Sequence, residues 1–419
     1  MVGTRAYVED LGRRARAASA ALATASTETK NAALLEMADA VEREAPALEA
    51  ANRLDLEAAE KSGVSTAMRQ RLALDKKAIA EICDGLRQVA SLPDPVGEVL
   101  GAWERPNGLR ISKVRVPIGV IAMIYEARPN VTPDAAALCI KSGNAVILRG
   151  GREALHSNIA LARLLRNAAA AKGLPGDSLQ LVERPEHEAV NELLTLNAYI
   201  DLVIPRGGEA LIRKVTELST IPVIKHYRGV CHVYVDRSAD LDMAADIVVN
   251  AKVQKPAVCN AAEALLVHEE IAPVFLPRIA ELLRARGVEL RGDAGARAIV
   301  PDMKAATDDD WGREYLDLIL AVRVVRNIEE AIAHIARHGS QHSDAIVTKD
   351  TGDAERFLRE VDSSAVFWNA STRFNDGGQF GMGAEIGIST DRIHARGPMA
   401  LPELTIYKYV VRGTGQVRE

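Results

Sequence analysis

The chain has 419 residues, 48% of them hydrophobic and 26% charged, a mixture that excludes disorder, a collagen repeat and a disulfide scaffold. Lys and Arg total 52 against 57 Asp and Glu, a formal charge of −5, and aromatics make up only 4%, so both the basic field and the stacking platforms of a nucleic-acid binder are missing. No run of roughly 18 uncharged apolar residues occurs, and the charged stretch from Arg5 to Arg16 is no secretory signal, so a cytoplasmic location is expected.

Residues 1–90 read as helix throughout, rich in Ala, Leu, Glu, Lys and Arg, with Pro46 as their only proline. Ala33, Leu34, Met37, Ala38 and Val41 recur at helical spacing, and Leu54 with Ala58 continues the pattern. Ser26 or Thr27 can cap one of these helices. The pattern breaks at Leu92–Pro95. Alternating runs on either side of Pro106-Asn-Gly108 then predict a β-hairpin over 97–116, a mixed ribbon suited to reaching another subunit.

From Pro117 onward strands and helices alternate. Strands are expected at Ile118–Tyr125, Ala145–Leu148, 179–183, 200–204 and 221–224, with helices at Pro133–Ser142, 155–172, 187–197 and 208–219. Val/Ile-rich strands buried on both faces argue a doubly wound parallel sheet and an α/β fold. Strand Val233–Val235 leads into a helix at Asp240–Ala251. A second α/β stretch is expected from about residue 256: helix 260–264, strand 264–268, helix 272–286, strands near 288–291 and 319–326, helix 328–337, strand 344–348, helix 352–360 and strand 364–368. A Gly-rich loop over 376–387 and a terminal strand Glu403–Arg412 complete the chain.

Four cysteines are scattered along this length, none at C-x-x-C or zinc-finger spacing, so free thiols in a reducing compartment are expected. Cys83 and Cys139 read as helical core and Cys231 as strand packing. Cys259 follows a Pro-containing loop and precedes the short helical run at 260–264. A thiolate there would gain from helix N-terminal amides and from Lys252 and Lys255, although core packing is the commoner fate of a lone cysteine.

Three loops follow buried strands. In Tyr125–Asp134, Asn130 can donate to a developing oxyanion and Arg128 can hold an anion, or the loop is only a turn. Arg149, Gly150 and Gly151 end one strand, and Arg206, Gly207 and Gly208 end another. Such loops offer amides and a cation to phosphate. Neither is G-x-G-x-x-G or a P-loop, but two in one doubly wound domain point to a nucleotide. His334, His338 and His342, spaced in fours, read as a solvated helix end, and Asp308–Asp310 as a surface acidic loop. No metal site is expected.

Val116–Val120, Tyr125–Thr132, Gly143–Gly151, Asp201–Gly208, Gly229–Asp236 and Lys252–Leu266 resemble, in order and spacing, the gamma-glutamyl phosphate reductases of the aldehyde dehydrogenase superfamily. So do His338–His342, Asn369–Gly381 and His394–Met399, and the resemblance runs from about residue 5 to the C-terminus. It implies NADPH-dependent reduction of L-glutamyl 5-phosphate to glutamate 5-semialdehyde with release of phosphate, the second step of proline biosynthesis. Cys259 matches the cysteine that forms a thioester. Asn130 matches the asparagine that, with the cysteine's own amide, stabilises the oxyanion.

Arg149 stands where many relatives carry a cofactor-binding lysine, and Glu314 matches the glutamate that binds the nicotinamide ribose. The loops Gly150–Gly151 and Arg206–Gly208 belong with the NADP(H) site. Arg128 and Arg373 are both candidates for holding phosphate or the substrate carboxylate. His226 occupies the place of the carboxylate that activates water in hydrolytic relatives, a replacement that suits a reductase. Lys255 departs from an expected Arg.

The implied fold is aldehyde dehydrogenase-like. Its cofactor-binding domain is expected at 1–96 and 117–255, its catalytic domain at 256–390, and an oligomerisation ribbon at 97–116 and 400–415. A homo-oligomer, dimer or tetramer, follows from the ribbon. Because no kinase segment is recognised, glutamyl phosphate is expected from a separate glutamate 5-kinase, with which association is expected.

Overall fold

Ser26 accepts the amide of Thr29, Ser65 that of Met68 and Asp75 that of Ala78, and each fixes the start of an N-terminal helix by satisfying an orphan donor. The computed structural model describes residues 3–418. Its N-terminal region is helical, as the composition predicts: α1 (Thr4–Leu22), α2 (Thr27–Arg43), α3 (Ala45–Lys61), α4 (Thr66–Leu72) and α5 (Lys76–Ser91). Ala33, Leu34, Met37, Ala38 and Val41 are all buried.

Leu54 is not: it is 51% exposed, and α3 turns Leu48, Asn52, Asp55 and Ala59 inward instead. The reason is polar. Asp55 accepts the main-chain amides of His156 and Ser157 at 3.1 and 2.8 Å and so caps a helix elsewhere in the chain. Asn52 donates to the oxygen of Leu72 and accepts the amide of Leu74. These tertiary bonds override the apolar periodicity.

Strands β1 (Val99–Glu104) and β2 (Arg110–Pro117) form the expected hairpin, and the terminal strand Thr405–Arg412 pairs antiparallel with the other edge of β2. Next come β3 (Val120–Tyr125), α6 (Val131–Lys141), β4 (Ala145–Arg149), α7 (Leu155–Ala171), β5 (Leu179–Leu181), α8 (His187–Leu193), β6 (Leu202–Arg206) and α9 (Glu209–Leu218). The four strands make a parallel sheet in the order β5-β4-β3-β6. All six residues of β3 and all five of β4 are buried, as expected for strands covered by helices on both faces. The predicted strand at 221–224 contributes only an isolated bridge, Val223 to Val203.

The order of strand addition reverses about β3: β4 and β5 lie on one side, β6 on the other. The loops leaving β3 and β6 therefore frame the switch-point crevice where open α/β sheets bind ligands.

A second compact unit spans His226–Phe380 and Ile388–Pro398; the first comprises the rest of the chain. The second contains β7 (Cys231–Val235), α10 (Leu241–Val253), β8 (Ala262–His268), α11 (Ala272–Arg284), β9 (Glu289–Gly292), α12 (Ala294–Ile299), β10 (Lys304–Ala305), β11 (Ile319–Val325), α13 (Ile328–His338), β12 (Ser343–Val347), α14 (Thr351–Glu360) and β13 (Ala365–Trp368). These strands form one parallel sheet, β10-β9-β11-β8-β7-β12-β13. Residues 226–255 thus belong to the second unit, ahead of the expected boundary at 255/256. Strand rhythm does not reveal which sheet a strand joins, whereas the register of β7 against Ala262–Val267 and Asp344–Val347 does. Val233 and Val235 pack beneath α10 and α11, while Tyr234 faces Phe357 and the helices of the opposite layer.

No helix among the described residues is long and apolar enough to cross a membrane.

Candidate active site

In the second unit, Cys259 sits in the turn between α10 and β8. Ala262–His268 is strand, so no helix forms over 260–264 and the thiol has no helix N-terminus beside it. A short apolar run reads as helix or strand with equal ease, and burial between β7 and β11 decides for strand. The expected support from lysine also fails. Lys252 is buried with its Nζ 2.6 Å from Glu263 Oε2, so its charge is matched there. Burial pushes the Glu263 carboxyl up to about 7 and the Lys252 ammonium down, while their mutual attraction opposes both shifts. Lys255 is exposed.

Imidazole takes the place of ammonium. One ring nitrogen each of His226 and His342 and the Sγ of Cys259 lie within 4.8 Å of one another. The two rings meet edge to face, 5.5 Å between centroids. His226 Nδ1 donates to the oxygen of Ile388 at 2.8 Å, and His342 Nδ1 lies 2.8 Å from Ser343 Oγ. His334 and His342 are both buried, so the solvated helix end expected of this histidine run is not what forms. His334 packs on α13 against His232 and Trp311, and burial holds it neutral, with its pKa pushed down to about 2.

The backbone of the Cys259 turn is fixed from several sides. Cys231 donates its thiol to the oxygen of Cys259 at 3.2 Å. Gly229 packs so closely that a Cβ would stand 1.9 Å from that same oxygen. Glu314 Oε1 accepts the amide of Gly229 at 2.9 Å, so Glu314 is tied to the segment behind the thiol. Thr372 Oγ1 donates to the oxygen of Asn260, and Asn260 Nδ2 donates to that of Asn375. Arg373 bonds to Asn260 Oδ1 and to Gln254 Oε1. Burial pushes the Arg373 guanidinium down, opposed by the negative charge of Asp376 and by the thiolate form of Cys259, so the cation favours that form.

In the first unit, Asn130 occupies the N-cap position of α6 without capping it. Its Nδ2 donates to Asp134 Oδ2 at 3.2 Å. Both line a cavity of about 320 Å³ together with Arg71, Leu74, Ile82 and Pro129. Asp134 is exposed, and desolvation by the groups packed around it pushes its carboxyl up to about 6, opposed by Asn130. Arg128 lies exposed on the same loop.

The two glycine loops end β4 and β6. Arg149 is largely buried and donates to the oxygens of Gly150 and Pro185 at 3.1 and 2.9 Å. Gly208 donates its amide to Glu126 Oε2 at 2.8 Å, and a Cβ on Gly207 would stand 2.6 Å from that oxygen. Arg206 lies against Gly387, which has a φ of 152°.

A family model described as "Aldehyde dehydrogenase family" matches residues 2–296. A gamma-glutamyl phosphate reductase of Geobacter metallireducens is 58% identical over 405 residues, covering 97% of each chain. The crystal structure of a gamma-glutamyl phosphate reductase from Thermotoga maritima superposes with a TM-score of 0.97 at 49% identity, covering 98% of this chain and 100% of that one. The chain belongs to the aldehyde dehydrogenase family. An acetylating aldehyde dehydrogenase from Geobacillus thermoglucosidasius, 19% identical with a TM-score of 0.69 and covering 99% of this chain and 98% of that one, shares the fold.

Membership makes this chain an oxidoreductase of a family that uses a nicotinamide cofactor. The residues present fit a phosphate-bearing group. Arg149 is a cation held by carbonyls, and the Gly208 amide already faces an anionic oxygen, that of Glu126, which a cofactor phosphate would have to displace there. The structure groups Cys259 with His226 and Arg373 in one unit, and Asn130, Arg128 and the two glycine loops in the other.

Four groups carry no sequence signal of their own: Cys231 as a donor, His342 as a neighbour of the thiol, Asp134 beside Asn130, and Glu126 on the glycine loop. All four lie in stretches singled out above, Glu126 and Asp134 in Tyr125–Asp134, Cys231 in Gly229–Asp236 and His342 in His338–His342, but nothing in their spacing points to these partners.

Proposed function

We propose that this chain reduces L-glutamyl 5-phosphate to L-glutamate 5-semialdehyde with NADPH, releasing phosphate, in proline biosynthesis. The observation that carries the reading is the 58% identity, over 97% of each chain, to a gamma-glutamyl phosphate reductase of Geobacter metallireducens. On the resemblance, His226 takes the place of the carboxylate that activates water in hydrolytic relatives, and it is grouped with His342 and the Cys259 sulfur.

Cys259, as thiolate, attacks the acyl carbon, and phosphate departs as the thioester forms. Arg373, in the field of the sulfur, favours the thiolate and neutralises charge on the departing phosphate. Asn130 and the Cys259 amide are the oxyanion donors, and the Cys231 bond and the Gly229 contact hold the carbonyl on the other side of the same residue. The cofactor supplies the hydride, and collapse of the resulting thiohemiacetal releases the aldehyde and regenerates the thiolate. Arg149, Gly150, Gly151, Arg206, Gly207 and Gly208 would hold the cofactor phosphates, with Arg149 suited to the extra phosphate of NADP. Glu314 is assigned to the nicotinamide ribose on the resemblance alone. Arg128 is the second candidate for a substrate anion.

The three-stranded ribbon supports homo-oligomerisation. Val99, Tyr409 and Val411 are more than half exposed on it, and strands with open edges and apolar side chains need covering. Co-elution with a glutamate 5-kinase tests the expected association, and clean separation at micromolar concentration counts against it.

The deciding experiment is the reverse assay with glutamate semialdehyde, NADP and phosphate. Activity that rises from zero with phosphate supports the reading. Activity indifferent to phosphate, or dependent on coenzyme A instead, overturns it in favour of a hydrolytic or acylating relative.

A further inference from the structure

Cys259, His226 and His342 come from three separate stretches of the second unit, and their donor atoms converge to within 4.8 Å of one another. We propose that these three side chains form an inhibitory binding site for a divalent transition-metal cation, Zn²⁺ above all, that takes the catalytic thiol out of action. The inhibition rests on the role given above to Cys259; the binding does not.

The donor set selects the ion. One thiolate and two imidazoles suit a borderline-soft cation such as Zn²⁺ or Co²⁺ and exclude the oxygen-seeking Mg²⁺ and Ca²⁺. Zn–S and Zn–N bonds in a tetrahedron place their donors about 3.3–3.6 Å apart, so the three groups need to close by about 1 Å, within the reach of side-chain rotation. Three protein ligands leave the fourth position to water, the pattern of an open site.

The surroundings are those of metal-ligating histidines. His226 Nδ1 is hydrogen-bonded to the carbonyl of Ile388, which can only accept, so Nδ1 carries a proton and the neutral form of the ring has its lone pair on Nε2. His342 Nδ1 faces Ser343 Oγ, a hydroxyl able to donate or accept and itself held by Asn375 Nδ2 at 2.8 Å. Cys231 Sγ also lies 3.7 Å from that Nδ1, and with Ser343 accepting from Nδ1–H the lone pair that a metal would take is on Nε2.

Binding breaks the Sγ–H bond, passes the proton to solvent and forms the sulfur–metal bond; nothing is oxidised or reduced.

The test is a Co²⁺ titration of the reduced, full-length protein, followed by Zn²⁺ competition. The expected result is a near-ultraviolet thiolate-to-cobalt charge-transfer band with the visible spectrum of four-coordinate Co²⁺, saturating at one equivalent and bleached by Zn²⁺. Cys259→Ser removes the charge-transfer band. His226→Asn and His342→Asn each weaken Co²⁺ binding by more than about tenfold, since loss of a ligand exceeds the effect of losing a supporting group. Cys231→Ala, which removes the other thiol near His342, retains the band. No band in the wild-type protein at saturating Co²⁺, a band that survives Cys259→Ser, or binding indifferent to both histidine variants overturns the proposal. These readouts are independent of turnover, so failure of the reductase reading leaves them interpretable. In the enzyme assay, Zn²⁺ is expected to inhibit and EDTA to restore full rate; Zn²⁺ without effect at occupancies shown by competition overturns the inhibitory role.

Discussion

Cys231, on β7, donates its thiol to the main-chain oxygen of Cys259 across 3.2 Å. Burial pushes the Cys231 thiol well above its usual value, so it stays protonated and remains a donor at neutral pH. The bond joins a rigid, fully buried strand to a turn that has no secondary structure of its own. It fixes the peptide plane from which the Cys259 side chain projects, and preorganised geometry of this kind is what an oxyanion site requires.

Removing that donor leaves a poorly solvated carbonyl without its partner. Cys231→Ala is expected to lower unfolding free energy by about 1–3 kcal/mol, measured by urea denaturation. Cys231→Ser, which keeps a hydroxyl donor at the site, is expected to lose less. Equal losses in the two variants would show that packing, not the hydrogen bond, matters at this position.

Gly229→Ala tests the same turn by crowding rather than deletion. A Cβ there would meet the Cys259 oxygen at 1.9 Å, and both partners are backbone, so the turn itself must move. A displacement on the order of 1 Å at a nucleophile lowers turnover by roughly 10²-fold. We expect that loss in kcat together with slower alkylation of Cys259 by iodoacetamide. Unchanged kinetics would mean that the turn yields without disturbing the thiol.

Asp134 gives a pH dependence. Desolvation raises its carboxyl to about 6, so the folded protein holds the proton more tightly than the unfolded chain does. Its contribution to stability is therefore complete below about pH 4 and is lost as pH rises through 6. Above 6 the carboxylate holds the Asn130 amide, orienting its other hydrogen; below 6 that hold weakens. Asp134→Asn is expected to flatten both the stability profile between pH 4 and 7 and the acid limb of kcat. A limb near pH 6 that survives in the variant belongs to another group.

Lys252 and Glu263 form a buried pair, 2.6 Å apart, each almost fully enclosed. Glu263→Gln leaves an ammonium uncompensated in the core, and a loss of about 3–5 kcal/mol is expected from denaturant unfolding. The double variant Lys252→Met with Glu263→Leu is expected to regain most of it, because desolvation offsets much of the attraction in the native pair. A double variant no better than the single one would make the pair a net source of stability.

The helical N-terminus, the hairpin and the alternation of strands and helices were legible because they rest on local periodicity and turn chemistry. Leu54 misled because Asp55 and Asn52 bond to groups distant in sequence, and apolar spacing is blind to them. The strand after Cys259 misled for a related reason: its seven buried residues look alike whether they lie in a helix or between β7 and β11. Cys259 and Asn130 were singled out by resemblance, since neither residue's spacing distinguishes it from core or turn. The neighbours of the thiol were out of reach altogether. His226 and His342 meet only because β7 and β12 are adjacent in the sheet, a fact of topology that no motif encodes.

Arg149 offers the sharpest handle on cofactor choice. It ends β4 at the carboxyl edge of the sheet, and its two hydrogen bonds run to the oxygens of Gly150 and Pro185. Burial lowers its pKa, with Glu153 and Glu186 partly restoring it, so the cation is held in place at a desolvation penalty that a phosphate would relieve. A guanidinium presents a fork to phosphate that an amide or a shorter cation does not match. Charge-assisted hydrogen bonds contribute about 1.5–3 kcal/mol, so Arg149→Gln is expected to raise KM for NADPH by roughly ten- to hundredfold. NADH lacks the extra phosphate, and its KM is expected to change by less than about threefold. Steady-state kinetics with both cofactors separates the cases: equal losses for NADPH and NADH would assign Arg149 to the architecture of the β4 loop rather than to the NADP phosphate.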